Sequence, residues 1–346
     1  MINEAKTAVV ILNYNGRSFL EKFLPPVIQH SSPHAIYVAD NGSTDDSVAY
    51  VQQHFPQVTV IENKGNYGYA KGYNLALKKV NADYFVLLNS DVEVTPNWIE
   101  PVIALMENDR NIAACQPKLL DHKKRHLFEY AGASGGFIDR FGYPFCRGRV
   151  FNTLEEDKGQ FNDAREVFWA TGACMFVRAK AYWQAGGLDD DYFAHMEEID
   201  LCWRLKNFGH SIYVQPQSVI YHVGGGTLSK ISARKTFLNF RNNLATLVKN
   251  HPKKNLFPKI LYRLILDGVA GIKFLAEGQP AHFFSVIKAH FAFYGWLPAL
   301  LKKRRHLQQQ PEFKYSFSHI YKGNIAVDYF LKKNRTFKSL NKGFFK

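Results

Sequence analysis

Ala8-Val9-Val10-Ile11-Leu12-Asn13-Tyr14-Asn15-Gly16 is an apolar run that ends abruptly in a polar turn. Five apolar residues without alternation leave no solvent face, as expected of a strand buried on both sides in a parallel sheet. The spacing predicts a strand over 8–13 and a helix over 18–30. Downstream the same unit repeats, with strand 35–39 and helix 45–54, strand 58–61 and helix 69–80, strand 84–88 and helix 96–108, then a strand over 112–116. Strands alternating with helices imply right-handed crossovers and an α/β, Rossmann-like architecture with a mainly parallel central sheet. Ligands of such sheets gather at the carboxyl ends of the strands.

Farther along, 119–168 breaks into Gly, Asp and aromatic residues and reads as irregular hairpins and loops. Regular elements resume with a strand over 171–177, helices over 179–185 and 197–208, and two short strands over 211–214 and 218–221. Gly224-Gly225-Gly226 follows, and beyond about 230 the pattern is helical. The expected division is a domain over 1–245 and a basic, aromatic-rich helical extension over 246–346.

The chain has 346 residues, 46% hydrophobic and 21% charged, which is the balance of a globular protein and neither a disordered nor a polytopic membrane chain. The N-terminus shows no secretory signal pattern. Cys115, Cys146, Cys174 and Cys202 are scattered without a C-x-x-C pair, which argues against a zinc cluster and fits a reducing, cytoplasmic setting. The formal charge of +14 is unevenly placed: 251–346 holds 18 Lys/Arg against 4 Asp/Glu, while 1–250 is neutral. An anionic partner surface is therefore expected for the C-terminal quarter alone. No nucleic-acid-binding motif accompanies the charge, so nucleic acid is not expected.

Polar residues fall at successive strand ends: Asn13-Tyr14-Asn15-Gly16, then Asp40-Asn41-Gly42-Ser43-Thr44-Asp45, then Asn63 to Gly72, then Asn89-Ser90-Asp91. Each is an ordinary turn former alone. Four converging on one sheet edge imply a nucleotide crevice. Neither G-x-G-x-x-G after the first strand nor G-x-x-x-x-G-K-[ST] is present, so Rossmann dehydrogenases and P-loop NTPases drop out. A divalent metal ion is the natural substitute for a glycine-cradled phosphate site. Asp91, after an apolar strand, offers the hard oxygen that Mg²⁺ or Mn²⁺ prefers, unless it merely caps the next helix. His222, at another strand end, is the candidate second ligand.

Tyr192 to Arg204 places Glu197, Glu198 and Asp200 at a helix start, with Trp203 and Arg204 one turn on. Acids favour helix N-termini, and Asp200–Arg204 has i,i+4 ion-pair spacing. Two adjacent acids beside aromatics are less simply explained, and one of them could act as a general base.

Taken in order, 9–16, 40–45, 66–74, 88–91, 171–174 and 197–204 resemble the GT-A-fold glycosyltransferases of family 2, particularly their bacterial rhamnosyltransferase-like branch. The resemblance covers about 7–245 and implies a GT-A catalytic domain. It implies that Asp40 contacts the nucleobase and that 66–74 lines the nucleotide and sugar site. Asn13, Asn15, Asn41, Asn66, Gly68, Lys71, Asn74, Asn89 and Ser90 would join Asp40 on the donor side. Asn89-Ser90-Asp91 looks like a D-x-D metal motif that has lost its first acid, with Asp91 and His222 as metal ligands. Glu198, with Glu197 as the alternative, matches the catalytic base. Trp169, Gly172, Glu197, Trp203 and Arg204 would lie on the acceptor side. The implied reaction inverts the anomeric carbon of a UDP- or dTDP-sugar, dTDP-rhamnose among them, with a polyprenyl-diphosphate-linked glycan as acceptor.

Two other readings share some of these features. A sugar nucleotidyltransferase would want a Gly-rich basic loop, whereas Asn13 to Arg17 offers one glycine and one arginine. A non-catalytic sugar-nucleotide scaffold has no use for the acids at Asp91 and Glu198. In the C-terminal quarter, 256–274 and 281–301 are apolar and aromatic but interrupted by Arg263, Asp267, Lys273, His282, Lys288 and His290. Neither suits a spanning helix. Helices lying at the cytoplasmic membrane face and a packed helical cap are the two expectations for this region.

Overall fold

A computed structural model describes residues 6–224 and 232–345. The elements run β1 (Thr7–Asn13), α1 (Arg17–His30), β2 (Ala35–Asp40), α2 (Ser47–His54), β3 (Thr59–Glu62), α3 (Gly68–Leu77) and β4 (Tyr84–Asn89). They continue with β5 (Val92–Val94), α4 (Glu100–Asn108), β6 (Ile112–Asp121), β7 (Gly136–Asp139), β8 (Pro144–Cys146), β9 (Arg149–Val150) and β10 (Thr153–Leu154). Next come β11 (Arg165–Val167), β12 (Cys174–Arg178), α5 (Ala179–Gln184), α6 (Glu197–Asn207) and β13 (Ser211–His222). The chain ends through α7 (Ala233–Asn250), α8 (Leu256–Ala276), α9 (Pro280–Gln308) and β14 (Ile320–Tyr321).

The large sheet has the order β11-β13-β6-β12-β4-β1-β2-β3, with β5 paired to β13. β3, β2, β1 and β4 are mutually parallel, β12 inserts antiparallel between β4 and β6, and β13 runs parallel to β6. This is the GT-A arrangement. β1 is buried on both faces: Val9 and Ile11 pack with α1 and α4, while Ala8 and Val10 pack with α3 and the helices beyond it. The unbroken apolar run thus reflects two cores, one on each side of the sheet.

Several elements differ from the sequence reading. β6 runs on to Asp121, because 117–121 stays paired to β13 through Gln215 and Val219–His222. The two short strands over 211–214 and 218–221 are one strand, with a bulge between Gln215 and Val219 that accommodates Pro216, which has no N–H to donate. The helix expected from 96 begins at Glu100, after the unexpected strand β5. Within 119–168 lies a second sheet, ordered β10-β9-β8-β7-β14, whose last strand comes from the chain's C-terminal end. Residue 245 falls inside α7, and Leu300, Ile320, Tyr321, Ile325 and Leu340 belong to the same core as Val10 and Phe85. The C-terminal quarter is woven into the body.

Candidate functional site

Parallel pairing brings the strand ends level, with Asn13 opposite Asp40 and Leu12 opposite Asn89. Asp40 is buried. One carboxylate oxygen accepts from Asn13 Nδ2 at 3.1 Å and Ser43 Oγ at 2.5 Å, the other from the amides of Gly42 and Ser43 at 3.1 and 2.9 Å. Both oxygens are spent on shaping the turn, so contact with a nucleobase would require one of these bonds to be exchanged. Asn15, at φ 49°, accepts from the Thr44 amide at 2.7 Å and locks the first loop to the second. Asn41 ties the second to the third, donating to Gly68 O at 3.1 Å and Asn66 Oδ1 at 3.3 Å.

Asn74 does not belong with these. Its amide donates to Leu188 O at 2.7 Å and Asp190 Oδ1 at 2.6 Å, and its oxygen accepts from the Tyr182 hydroxyl at 2.5 Å. It is consumed in holding the segment ahead of the acids, which corrects the expectation of a donor contact. Asn66 is exposed, Lys71 lies half-buried with its ammonium 4.8 Å over the Tyr67 ring, and Asn89 and Ser90 are half-buried at the end of β4. Asn13 Oδ1 is buried and has no hydrogen-bond partner among the described residues. A Cβ on Gly16 would stand 2.3 Å from it, so glycine keeps this corner open.

Asp91 and His222, distant in sequence, meet because β5 pairs with the end of β13. Asp91 Oδ1 lies 3.1 Å from His222 Nε2, and both residues are buried. On the far edge of the ring, Glu129 Oε1 lies 3.2 Å from Nδ1. Burial disfavours charge on the imidazole, but the Glu129 and Asp91 carboxylates outweigh it and push the ring's pKa up to about 10. Burial likewise works against an ionised Asp91, and His222 more than offsets it, lowering the carboxyl's pKa. Two cis ligands on an octahedral Mg²⁺ or Mn²⁺ with bonds of about 2.1 Å stand roughly 3 Å apart. The Asp91–His222 spacing fits that, with an acid and an imidazole as acceptable donors. Among the described residues no group of three or more His, Cys, Asp or Glu converges on one point, so the pair would need oxygens from the substrate or water to complete a shell.

Glu197 and Glu198 open α6 behind a strained approach: Phe193, His195 and Met196 have φ of 65°, 69° and 73°. Such conformations cost energy and persist only when the surroundings hold them. Asn242 of α7 does so, donating to the carbonyls of Tyr192, Ala194 and His195 at 3.1, 3.0 and 2.8 Å. Arg241 adds bonds to the carbonyls of Asp191 and Tyr192, both at 3.3 Å. The loop also meets the third polar loop, where Tyr69 N donates to Phe193 O at 2.6 Å and a Cβ on Gly68 would stand 2.5 Å from that oxygen. Burial pushes the Glu198 carboxyl up to about 7; burial and then the adjacent Glu198 charge raise Glu197 far above the carboxylate range. Glu198 is half-buried and Glu197 buried, and one oxygen of each has no hydrogen-bond partner among the described residues.

Gly172 stands beside Glu198: a Cβ there would lie 3.7 Å from Glu198 Cβ, and its carbonyl accepts from the Tyr69 hydroxyl at 2.5 Å. The next carbonyl, Ala173 O, accepts from Asn89 N at 3.0 Å, which connects the acids to the strand that delivers Asp91. Trp169, Trp203 and Arg204 are core residues, contrary to the acceptor role expected of them. The Trp169 indole donates to Phe137 O at 2.9 Å, and Trp203 packs edge-on against Phe168. Arg204 pairs with Asp200 at 2.8 Å, and Asp200 also receives Lys249 and Asn250 of α7 at 2.8 and 2.7 Å. This fully buried cluster bolts α6 to α7. Glu129 and Asn242 were not legible in the sequence, and Tyr69 lay within 66–74 without being singled out. Glu129 sits in a stretch that looked irregular, and the only hint of Asn242 is the polar run Arg241-Asn242-Asn243 inside a helix.

The family model described as Glycosyl transferase family 2 matches residues 8–186, just over half of the chain. The chain is 28% identical over 237 residues to the N-acetylglucosaminyl-diphospho-decaprenol L-rhamnosyltransferase of Mycobacterium tuberculosis, covering 63% of this chain and 76% of that one. It is 25% identical over 217 residues to rhamnosyltransferase WbbL of Escherichia coli, covering 60% and 80%. Among solved structures it resembles GalNAc-T7 with UDP, GalNAc and Mn²⁺, at TM-score 0.56 and 17% identity, covering 72% of this chain and 48% of that longer one. It also resembles the mannosyltransferase PcManGT of Pyrobaculum calidifontis with GDP-Man and Mn²⁺, at TM-score 0.53 and 14% identity, covering 85% and 88%.

Proposed function

The chain belongs to glycosyl transferase family 2, and from that premise we propose that it transfers a sugar, with inversion, from a nucleotide-diphosphate donor to a hydroxyl of a lipid-linked glycan. The observation that carries this reading is the tie between two sites. Asp91 and His222 form a buried pair spaced for one cation, and Glu198, with a pKa near neutrality, is linked to the same strand end through Gly172 and Ala173.

Asp91 and His222 would hold a divalent cation, with the donor's diphosphate oxygens supplying further ligands. Bound there, the cation supplies Lewis-acid stabilisation of the charge that builds on the departing nucleotide diphosphate. Asn13, Asn66, Lys71, Asn89 and Ser90 would orient the donor. Glu198 accepts the acceptor's hydroxyl proton as that oxygen bonds to the anomeric carbon, while the bond from that carbon to the diphosphate oxygen breaks on the opposite face. A pKa near 7 suits the task, since the carboxylate is both populated and basic enough to take a proton. No covalent enzyme intermediate is formed. Glu197, more deeply buried and further raised, would be neutral and would support the loop.

The relatives named as rhamnosyltransferases, one of them acting on a diphospho-decaprenol-linked sugar, favour a dTDP- or UDP-hexose donor and a polyprenyl-diphosphate-linked acceptor. The enzyme would then work peripherally on the cytoplasmic face of a membrane, where such acceptors are extended. The test is donor hydrolysis and transfer across UDP-, dTDP- and GDP-sugars with Mn²⁺ or Mg²⁺, alongside Asp91→Ala and Glu198→Gln. Turnover of one donor that both variants abolish supports the reading. Donor binding without turnover under every acceptor offered would point to a scaffold, and absence of binding would sink the proposal.

A further inference from the structure

The last two long helices bury polar side chains while leaving large apolar ones exposed. On α8 the buried residues are Arg263, Asp267 and Gly271, with Leu256, Ile260 and Leu264 partly buried against the core. Arg263 donates to Phe141 O at 2.7 Å and lies 3.6 Å over the Tyr143 ring, while Tyr143 donates to Asp267 at 3.2 Å. The opposite face carries Phe257, Leu261, Ile265, Val269 and Ile272, all exposed, Ile265 at 58%. Their spacing keeps them within about 120° of one another on the helix. Every exposed position of α8 from Phe257 to Ile272 is apolar or glycine. Two of the charges that interrupt this segment in the sequence, Arg263 and Asp267, therefore lie off its outer face, and the third, Lys273, is exposed at its C-terminal end.

α9 continues the same surface. Phe284, Ile287, Phe291 and Tyr294 are exposed, Phe291 at 71%, and between Pro280 and Leu301 the one exposed charged position is Lys288. By length and composition this helix could cross a bilayer. Its inner face is committed elsewhere, however: Arg304 donates to Val248 O at 2.6 Å and His251 O at 2.5 Å, and Lys303 pairs with Asp191 at 2.6 Å. Both helices lie along the body. Monomeric soluble proteins rarely leave so continuous an apolar face in water. The charges around it are mostly positive: Lys253, Lys254, Lys288, Lys302 and Arg305 are exposed at or beside the two helices, and the one exposed acid between them, Glu277, is paired with Lys273.

We propose that the outer face of α8 and α9 is a membrane-docking surface, buried to side-chain depth in one leaflet of an anionic bilayer with its lysines and arginines at the headgroups. An apolar face flanked by cations fits anionic lipid and fits a second copy of this chain poorly, because two such basic rims would repel. This deepens the membrane placement proposed above and rests on it. The same helices carry Lys303, whose partners Asp189 and Asp191 precede the strained loop before Glu197, so the docked face and the candidate base share one rigid support.

The test is flotation of the full chain with phosphatidylcholine vesicles with and without phosphatidylglycerol, beside Ile265→Glu/Phe291→Glu. Both side chains are exposed, so the folded state should tolerate the change; melting temperature and donor hydrolysis check this. The expected result is co-flotation with anionic vesicles, at least tenfold weaker for the double variant and weaker in high salt, with melting and hydrolysis unchanged. A chain that stays in solution, or a variant that floats as well as the parent, overturns the proposal. So does a parent dimer that the variant splits without any flotation, since the face would then be a contact between copies. Hydrolysis without flotation sinks the docking surface alone, while flotation of a chain that neither turns over nor binds any donor sinks the transferase reading alone.

Discussion

Glu129 lies 3.2 Å from Nδ1 of His222, on the edge of the ring opposite the one that meets Asp91. A carboxylate in this position fixes which nitrogen keeps a proton and raises the basicity of the other, the role that outer-shell acids play for metal-bound histidines. Glu129→Gln should weaken Mn²⁺ binding about 10–100-fold, and Asp91→Ala should abolish it. Titration calorimetry measures both without any need for turnover. Unchanged affinity in Glu129→Gln would reduce Glu129 to a structural partner.

Without a cation, the His222 ring is held protonated up to about pH 10 by its two carboxylates. Metal binding at Nε2 must then release a proton, so affinity should rise with pH by up to about tenfold per unit across the neutral range. Calorimetry in buffers of different ionisation enthalpy should report about one proton released per ion. Release of none would mean that His222 does not ligate.

The Glu198 carboxyl has a folded-state pKa of about 7, above its ordinary value. As a general base it works when ionised, so turnover should rise with pH through about 7, and Glu198→Gln should lose about 10²–10⁴-fold. For stability the sign is opposite. A raised carboxyl favours the folded state fully below its unfolded pKa, and that contribution is lost as pH rises through 7. The melting temperature of the parent should therefore fall from pH 5 to pH 8 more than that of Glu198→Gln. Parallel curves would place the raised pKa elsewhere, with Glu197 the first alternative.

Asn242 supplies three hydrogen bonds to a loop whose backbone would not hold its shape unaided. Asn242→Ala removes a donor from three carbonyls, one buried and two part-buried, of which Tyr192 O keeps Arg241, and should cost about 1–3 kcal/mol. Asn242→Asp should be worse, since a carboxylate would face those carbonyls with no proton to give. Turnover should fall in both variants with donor affinity little changed, as measured by thermal melting, calorimetry and steady-state kinetics. A stable Asn242→Asp would contradict this arrangement.

Arg204 and Trp203 test the distinction between core and acceptor site. Arg204→Ala leaves Asp200 with a partner missing in a dry cluster and should destabilise by about 3–5 kcal/mol. Acceptor KM in the surviving folded fraction should be unchanged. A large rise in acceptor KM with normal melting would restore the acceptor role.

The sequence alone determined the GT-A sheet and the edge at which its polar turns gather, because both are written locally. The unbroken run from Ala8 to Leu12 requires burial on both faces whatever its neighbours are, and the polar turns at Asn13, Asp40 and Asn89 follow directly from strands that end together. Asp91, His222 and Glu198 were singled out for the same reason, each standing at the end of a regular element. What side chains do once folded was not written there. Asp40, Asn74 and Arg204 looked like ligands and are spent inside the protein, while Glu129 and Asn242 looked incidental and support the site. The same holds for α8, where Arg263 and Asp267 read as breaks in an apolar segment until packing turned them inward. Periodicity tells which residues share a face of an element; only the tertiary fold decides which face meets protein and which meets solvent or lipid. That choice depends on partners far away in the chain, here Asn243, Phe141 and Tyr143 around Arg263 and Asp267.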